Sequence, residues 1–168
     1  MKYISSDTNI WLDFKAISQI ALPFLLPYTY IMFEEALRKE IISPPELLKE
    51  LEKLGLKGVE LTTEEFYYAL DLSLHYKKLS VYDRTALAIA KLRDIPLLTG
   101  DQPLREAAKS EGVRVFGTIG LLDELFLGHY ISKGEYLLCL EAFHQHPERR
   151  LPVEELQRRI SKIKRKEG

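Results

Sequence analysis

An α/β fold built on a parallel sheet is predicted by three features of the sequence. Apolar runs of strand length alternate with stretches of helical period along most of the chain. Three segments share one shape, an apolar run that stops at an aspartate and then turns into a helix: MKYISSDTN at residues 1–9, LSVYDRTALAIA at 79–90 and IPLLTGD at 95–101. The composition, 46% hydrophobic and 29% charged over 168 residues, suits one globular domain with a sizeable core.

The elements follow in order. Strand one spans about Lys2 to Ser6, and the helix behind it carries Ile10, Trp11, Leu12 and Phe14. YTYIMF, Tyr28 to Phe33, is aromatic and β-branched enough for strand two, with a helix from Glu34 to Ile42. Ser43-Pro44-Pro45 opens a helix that ends near Gly55, and Val59 to Leu61 reads as a short strand. TTEE, Thr62 to Glu65, has capping-box spacing ahead of a helix running to Tyr76. Ser80 caps the next helix, whose Ala-Leu-Ala-Ile-Ala run has no polar side and must be buried. Ile95 to Thr99 is the fourth strand, a helix holds Glu106 to Lys109 and stops at Gly112, and Val113 to Phe116 is the fifth. From Thr118 onward the pattern is helical. The last helix, entered after Pro152, is amphipathic with Val153, Leu156, Ile160 and Ile163 along one stripe.

In an open parallel sheet, ligand chemistry sits outside the carboxyl ends of the strands, so Asp7 and Asp101 point into one crevice, and Asp83 can join them. Taken singly, each acid has a duller explanation. Asp7 and Asp101 stand where aspartate caps a helix, and Asp83 completes a capping box with Ser80. Their joint position favours a site. Four carboxylates about 5 Å apart repel by ~3 kcal/mol per pair at an effective dielectric of 20, which over six pairs exceeds the stability of an ordinary domain. A divalent cation offsets this, and oxygen-only ligands favour magnesium or manganese over zinc.

Other chemistries are poorly served. Cys139 stands alone in a helix and reads as a small buried hydrophobe, without a disulfide framework or cysteine metal site. His144 and His146 lie two apart and face differently, as a surface pair does. Neither a P-loop nor GxGxxG occurs, so nucleotide cofactors are not implied. With no apolar run of membrane-spanning length and no leader pattern, a cytosolic protein with no membrane partner is expected. The net charge of -1 divides unevenly: residues from Arg149 onward carry eight basic and three acidic side chains, net +5, leaving -6 on residues 1–148. The basic face of the tail, Arg158, Arg159, Lys162 and Arg165, is either a solvated surface of a docked helix or a contact for nucleic acid phosphates.

The SDTN start, the DRTALAIA helix and LLTGDQPLREAAKSEGVRVFGTIGLLDEL together resemble the PIN-domain ribonucleases, many of which are VapC-type toxins of prokaryotic toxin–antitoxin pairs. The resemblance covers roughly residues 2–127, and RRLPVEEL resembles the tail of one prokaryotic branch. It implies a Rossmann-like parallel sheet of four to five strands flanked by helices, a nuclease domain at 1–127 and a helical C-terminal extension at 128–168 packed on the same domain. Carried over, the catalytic and metal-binding acids are Asp7, a glutamate of EEALRKE, Asp83 and Asp101, with Asn9 and Thr99 as polar support. The family's usual spacing selects Glu40 as the glutamate, while Glu34 and Glu35 stay open. Where the family often has a further acid, this chain has Gln102, Pro103 and Leu104, which argues against a stable second metal site.

The implied activity is metal-dependent endonucleolytic hydrolysis of RNA with Mg2+ or Mn2+, a water activated by the ion attacking phosphorus in line. The implied partners are RNA, with an antitoxin protein and a second copy of the chain, as a homodimer, as further candidates. Two rivals stand beside this reading. A PIN-like fold without catalysis would bind RNA or protein only. A receiver or haloacid-dehalogenase protein would want a second carboxylate just after Asp7, where Thr8 and Asn9 stand.

Overall fold

The computed structural model describes residues 2–167, and side chains for residues 2–165. Five strands, all parallel, form one sheet in the order β3-β2-β1-β4-β5. They are β1 (Lys2–Ser6), β2 (Tyr28–Phe33), β3 (Lys57–Val59), β4 (Leu97–Leu98) and β5 (Val115–Phe116). Nine helices among the described residues surround it: α1 (Thr8–Ala16), α2 (Glu34–Glu40), α3 (Leu47–Leu54), α4 (Thr63–His75), α5 (Val81–Leu92), α6 (Gln102–Ser110), α7 (Thr118–Leu127), α8 (Lys133–His144) and α9 (Val153–Glu167). The architecture is the Rossmann-like one the sequence predicts.

Strand alternation sorts the core into two. Ile4, Tyr30, Met32 and Leu98 face a large cluster built with Trp11, Phe14, Leu37, Leu122 and Leu140, to which Leu156 and Ile163 of α9 belong. Leu97 faces a second cluster with Leu72, Leu87, Leu104 and Val113. The five-residue run Ala86 to Ala90 is buried throughout, as its lack of a polar side requires. Trp11 is fully buried; its ring meets Phe24 and Tyr30 at centroid distances of 5.2 and 5.1 Å, and its Nε1 donates to Ser6 Oγ at 3.2 Å.

Several boundaries differ from the sequence reading for local reasons. β3 comes earlier than Val59 to Leu61, because Lys57, Gly58 and Val59 pair with Ile31, Met32 and Phe33. It is an edge strand with two exposed residues, so hydrophobicity does not reveal it. β4 is shorter than Ile95 to Thr99, since Ile95 N–H closes α5 on the Ala90 carbonyl at 2.9 Å. Val113 does the same for α6, donating to Ala108 at 2.8 Å, which shortens β5. α2 stops at Glu40, where the Ile41 N–H caps it on Leu37. His146 lies beyond α8, its Nδ1 2.6 Å from Glu148, so the two histidines do not share a helix. In α9, Leu156 and Ile163 are buried and Ile160 half-buried, but Val153 in the first turn is 49% exposed, which shortens the predicted stripe.

One buried ion pair ties the C-terminal part to α1. Asp13, 3% exposed, accepts from Arg149 Nε at 2.7 Å and from Thr118 Oγ1 at 2.7 Å, and Arg149 Nη2 donates to the Asn9 carbonyl at 3.3 Å. Burial pushes the Asp13 carboxyl up against the lowering effects of Thr118 and Arg149. Removing the guanidinium leaves a charge with half its partners. Arg149→Met is expected to destabilise the fold by on the order of 3 kcal/mol, with Arg149→Lys falling between, in urea unfolding followed by tryptophan fluorescence.

Candidate active site

β1 and β4 lie side by side at the centre of the sheet, in register from Ser5↔Leu97 to Ser6↔Leu98. Asp7 and the Thr99–Asp101 segment leave their carboxyl ends together. Thr99, wholly buried, bridges the two: its Oγ1 donates to Asp7 Oδ2 at 2.9 Å and accepts the Asp101 N–H at 3.1 Å. On the other side, the Thr8 N–H reaches Asp7 Oδ1 at 2.7 Å, and Thr8 Oγ1 donates to Glu40 Oε1 at 2.7 Å. Glu40, Thr8, Asp7, Thr99 and Asp101 are thus one hydrogen-bonded chain across α2, α1 and α6.

The capping roles are present as well. Asp7 caps α1, Asp101 Oδ2 accepts the Leu104 N–H at 3.1 Å at the start of α6, and Ser80 and Asp83 form a complete capping box on α5. Capping uses Oδ2 of Asp83 and Oδ2 of Asp101, and Thr8 uses Oε1 of Glu40. The second oxygen of each takes no hydrogen bond among those described. A carboxylate offers about four lone-pair sites, so capping and ligation do not compete for the same acceptor.

Electrostatics links the four acids. Asp7 is pushed up from 3.8 to about 7, first by burial and then by the charge of Asp83, with Glu40 adding to it; bonds from Thr99 and Thr8 pull the other way. Asp83 is also raised, chiefly by burial, with Asp101 contributing and the Ser80 N–H and Arg84 opposing. Asp7, Thr8, Glu40, Phe33 and Tyr82 line a narrow cleft between these elements.

Among the three glutamates of α2, only Glu40 turns to Asp7. Glu34 pairs with Arg38 at 2.7 Å, and that guanidinium also reaches Glu52. Glu35 accepts from the Tyr82 hydroxyl at 3.0 Å and lies 3.8 Å from Lys39. Asn9 is exposed in the first turn of α1 and lends its carbonyl to Arg149. In the tail, Arg159 grips Asp123 with Nε and Nη2, the latter at 2.8 Å, and Arg158 stands 3.9 Å from Glu155, while Lys162 and Arg165 are exposed. A wider groove between α8 and α9, lined by Glu141, His144, Gln157 and Lys164, lies apart from the acids and has no convergent carboxylates. Thr8 and Tyr82 were not among the sequence-derived candidates. Thr8 directly follows Asp7 and a hydroxyl there has no distinctive local signal, since its partner is 32 residues away.

Among the described residues, no three of His, Cys, Asp and Glu are grouped tightly enough to hold an ion as their side chains stand. The donor set nonetheless suits a hard divalent cation: all candidate ligating atoms are carboxylate or hydroxyl oxygens, and burial, with added repulsion from neighbouring carboxylates, raises Asp7 and Asp83. No described helix is long and apolar enough to cross a membrane.

No curated protein and no solved structure matches this chain. A family profile described as a PIN domain matches residues 4–165, nearly the whole length. The five-stranded parallel sheet and the acids at its carboxyl edge agree with that nuclease-type fold. The chain belongs to the PIN-domain family.

Proposed function

We propose that this chain is a metal-dependent RNA endonuclease, with Asp7, Glu40, Asp83 and Asp101 as both ligands and catalytic groups and Mg2+ or Mn2+ as the ion. The observation that supports it most is the hydrogen-bonded chain that holds Glu40, Asp7 and Asp101 at the carboxyl edge of the two central strands, within electrostatic reach of Asp83. PIN domains are in general nucleases that act on RNA, which supports RNA as the substrate class.

When bound, a divalent cation supplies Lewis acidity: it lowers the pKa of a water and neutralises charge on phosphoryl oxygens. The chain's own residues supply the rest. Thr99 and Thr8 fix the rotamers of Asp7 and Glu40, so both carboxylates are oriented before substrate arrives. Asp7, with its raised pKa, holds a proton near neutral pH in the empty site and releases it on filling, so affinity for the ion rises with pH. Asn9 and Thr99 are the supporting polar residues in this proposal. The toxin role, with an antitoxin protein and a homodimeric second copy as partners, follows from the family resemblance and belongs to the same proposal.

The linkage sign is fixed by Asp7. Its folded pKa, about 7, lies above the ordinary 3.8, so between these values the native state holds more protons than the unfolded state and stability falls as pH rises. Asp7→Asn is expected to flatten stability across that window and to raise it at pH 8 by on the order of 2 kcal/mol in metal-free buffer, measured by chemical denaturation. Manganese at a hundredfold excess over its dissociation constant is expected to stabilise the wild type by about 2.7 kcal/mol. Asp7→Asn and Asp101→Asn should lose most of that gain; calorimetry showing the full wild-type gain in both variants rejects the shared site.

Cleavage of a labelled RNA pool in magnesium is expected from the wild type and absent in Glu40→Gln, with Glu34→Gln and Glu35→Gln retaining it. The reverse pattern moves the ligand along α2. A wild type that binds RNA but never cuts favours the catalytically silent reading, and growth arrest on induction that vanishes in Asp83→Asn tests the toxin role.

A further inference from the structure

We infer that Arg84 and Arg105 form a phosphate grip on the rim of the acidic cleft and bind the RNA backbone on either side of the scissile bond. This rests on the nuclease reading above and names how that site holds its substrate. Of the ten arginines of this chain, Arg38, Arg93, Arg149, Arg158 and Arg159 have a carboxylate within 4 Å. Arg84, Arg105, Arg114, Arg150 and Arg165 have no acid partner among the described residues. Of these, Arg84 and Arg105 lie on the helices that carry the acids of the site, each following one of them. Neither swings freely. Arg84 Nε donates to the Ser80 carbonyl at 3.3 Å, and Arg105 Nη1 donates to the Thr99 carbonyl at 2.9 Å. Each is half-buried, anchored by one N–H and left with the others to donate. A bidentate guanidinium that is oriented in advance is the side chain best matched to a phosphate.

Their placement is specific to the site. Thr99 is the residue that joins Asp7 to Asp101, so Arg105 is anchored on the backbone of the bridge itself. Gly117, just past the end of β5, makes room for it: a Cβ there would stand 2.9 Å from Arg105 Nη1. The φ of Gly117 is -118°, open to any residue, so the space and not the backbone calls for glycine. The nearest acid in sequence does not compete, because Glu106 accepts from the Gln102 amide at 3.0 Å. Arg114 lies before β5, at the opposite edge of the sheet, and shares none of this.

Charge supplies the reason. Four carboxylates give the cleft a formal -4, one divalent ion leaves -2, and an incoming phosphodiester would still be repelled. Two guanidiniums bring the sum to zero. The tail supplies less than the sequence implied, with Arg159 committed to Asp123 and Arg149 to Asp13.

The experiment measures cleavage and binding of a labelled single-stranded RNA in magnesium at several salt concentrations, with binding read in the Asp83→Asn background. Arg84→Gln and Arg105→Gln are each expected to raise KM or Kd by roughly five- to tenfold and to lower the slope of log affinity on log salt by about 0.7. Arg105→Lys should recover part of the loss, Gly117→Ala should mimic Arg105→Gln, and Lys109→Gln at the far end of α6 should change nothing. The manganese-induced rise in melting temperature should persist in Arg84→Gln and Arg105→Gln, which separates substrate binding from damage to the acids. Wild-type cleavage with unchanged KM and salt slope in both variants overturns the grip and leaves the nuclease reading standing. A wild type that binds with the expected slope losses but never cuts keeps the grip and overturns the nuclease reading.

Discussion

One hydroxyl stands at the centre of the arrangement. Thr99 Oγ1 donates to Asp7 and accepts from the backbone of Asp101, and so locks together the carboxyl ends of two strands that are 92 residues apart in sequence. With no exposure to solvent, both of its bonds are made where competition from water is least. Everything else at the site is positioned from that bridge: Thr8 extends it to Glu40, Arg105 anchors on its carbonyl, and α6 starts from its far side.

Placing carboxylates together is costly, and this fold limits the cost in a particular way. Three of the four acids sit in the first turn or at the cap of a helix, where free N–H groups and the helix dipole favour negative charge. That support is partial, because burial keeps both Asp7 and Asp83 raised, with the charge of Asp83 adding to Asp7 and that of Asp101 adding to Asp83. In the proposed site, a bound cation would offset that residual repulsion. Ordinary caps have no reason to converge.

The C-terminal segment contributes through packing. Leu156 and Ile163 of α9 join the main core cluster, and Arg149 carries a buried salt bridge to α1, the helix that Asp7 opens. The basic character of the tail therefore includes side chains with internal partners. Positive charge in a sequence says nothing of whether an acid elsewhere in the chain has already claimed it, and here Asp13 and Asp123 have claimed two arginines.

What the sequence determined by itself is local. The helix starts at Thr62 and Ser80 are legible because a capping box joins residues three apart, and both boxes form. β2 is read to the residue because five of its six positions are aromatic or β-branched, and the buried α5 run follows from its lack of any polar face. The acids at strand ends were visible for the same reason. What tertiary structure decided is long-range: that β1 neighbours β4, that Glu40 rather than Glu34 or Glu35 bonds to Thr8 beside Asp7, and that Arg159 is spent on Asp123. It also drew the edge strand β3 from Lys57 and Gly58, whose partners on β2 lie 26 residues earlier. A periodicity reports which face of an element is apolar. It carries no record of which distant side chain stands opposite, and that opposition is what turns separate caps into one site.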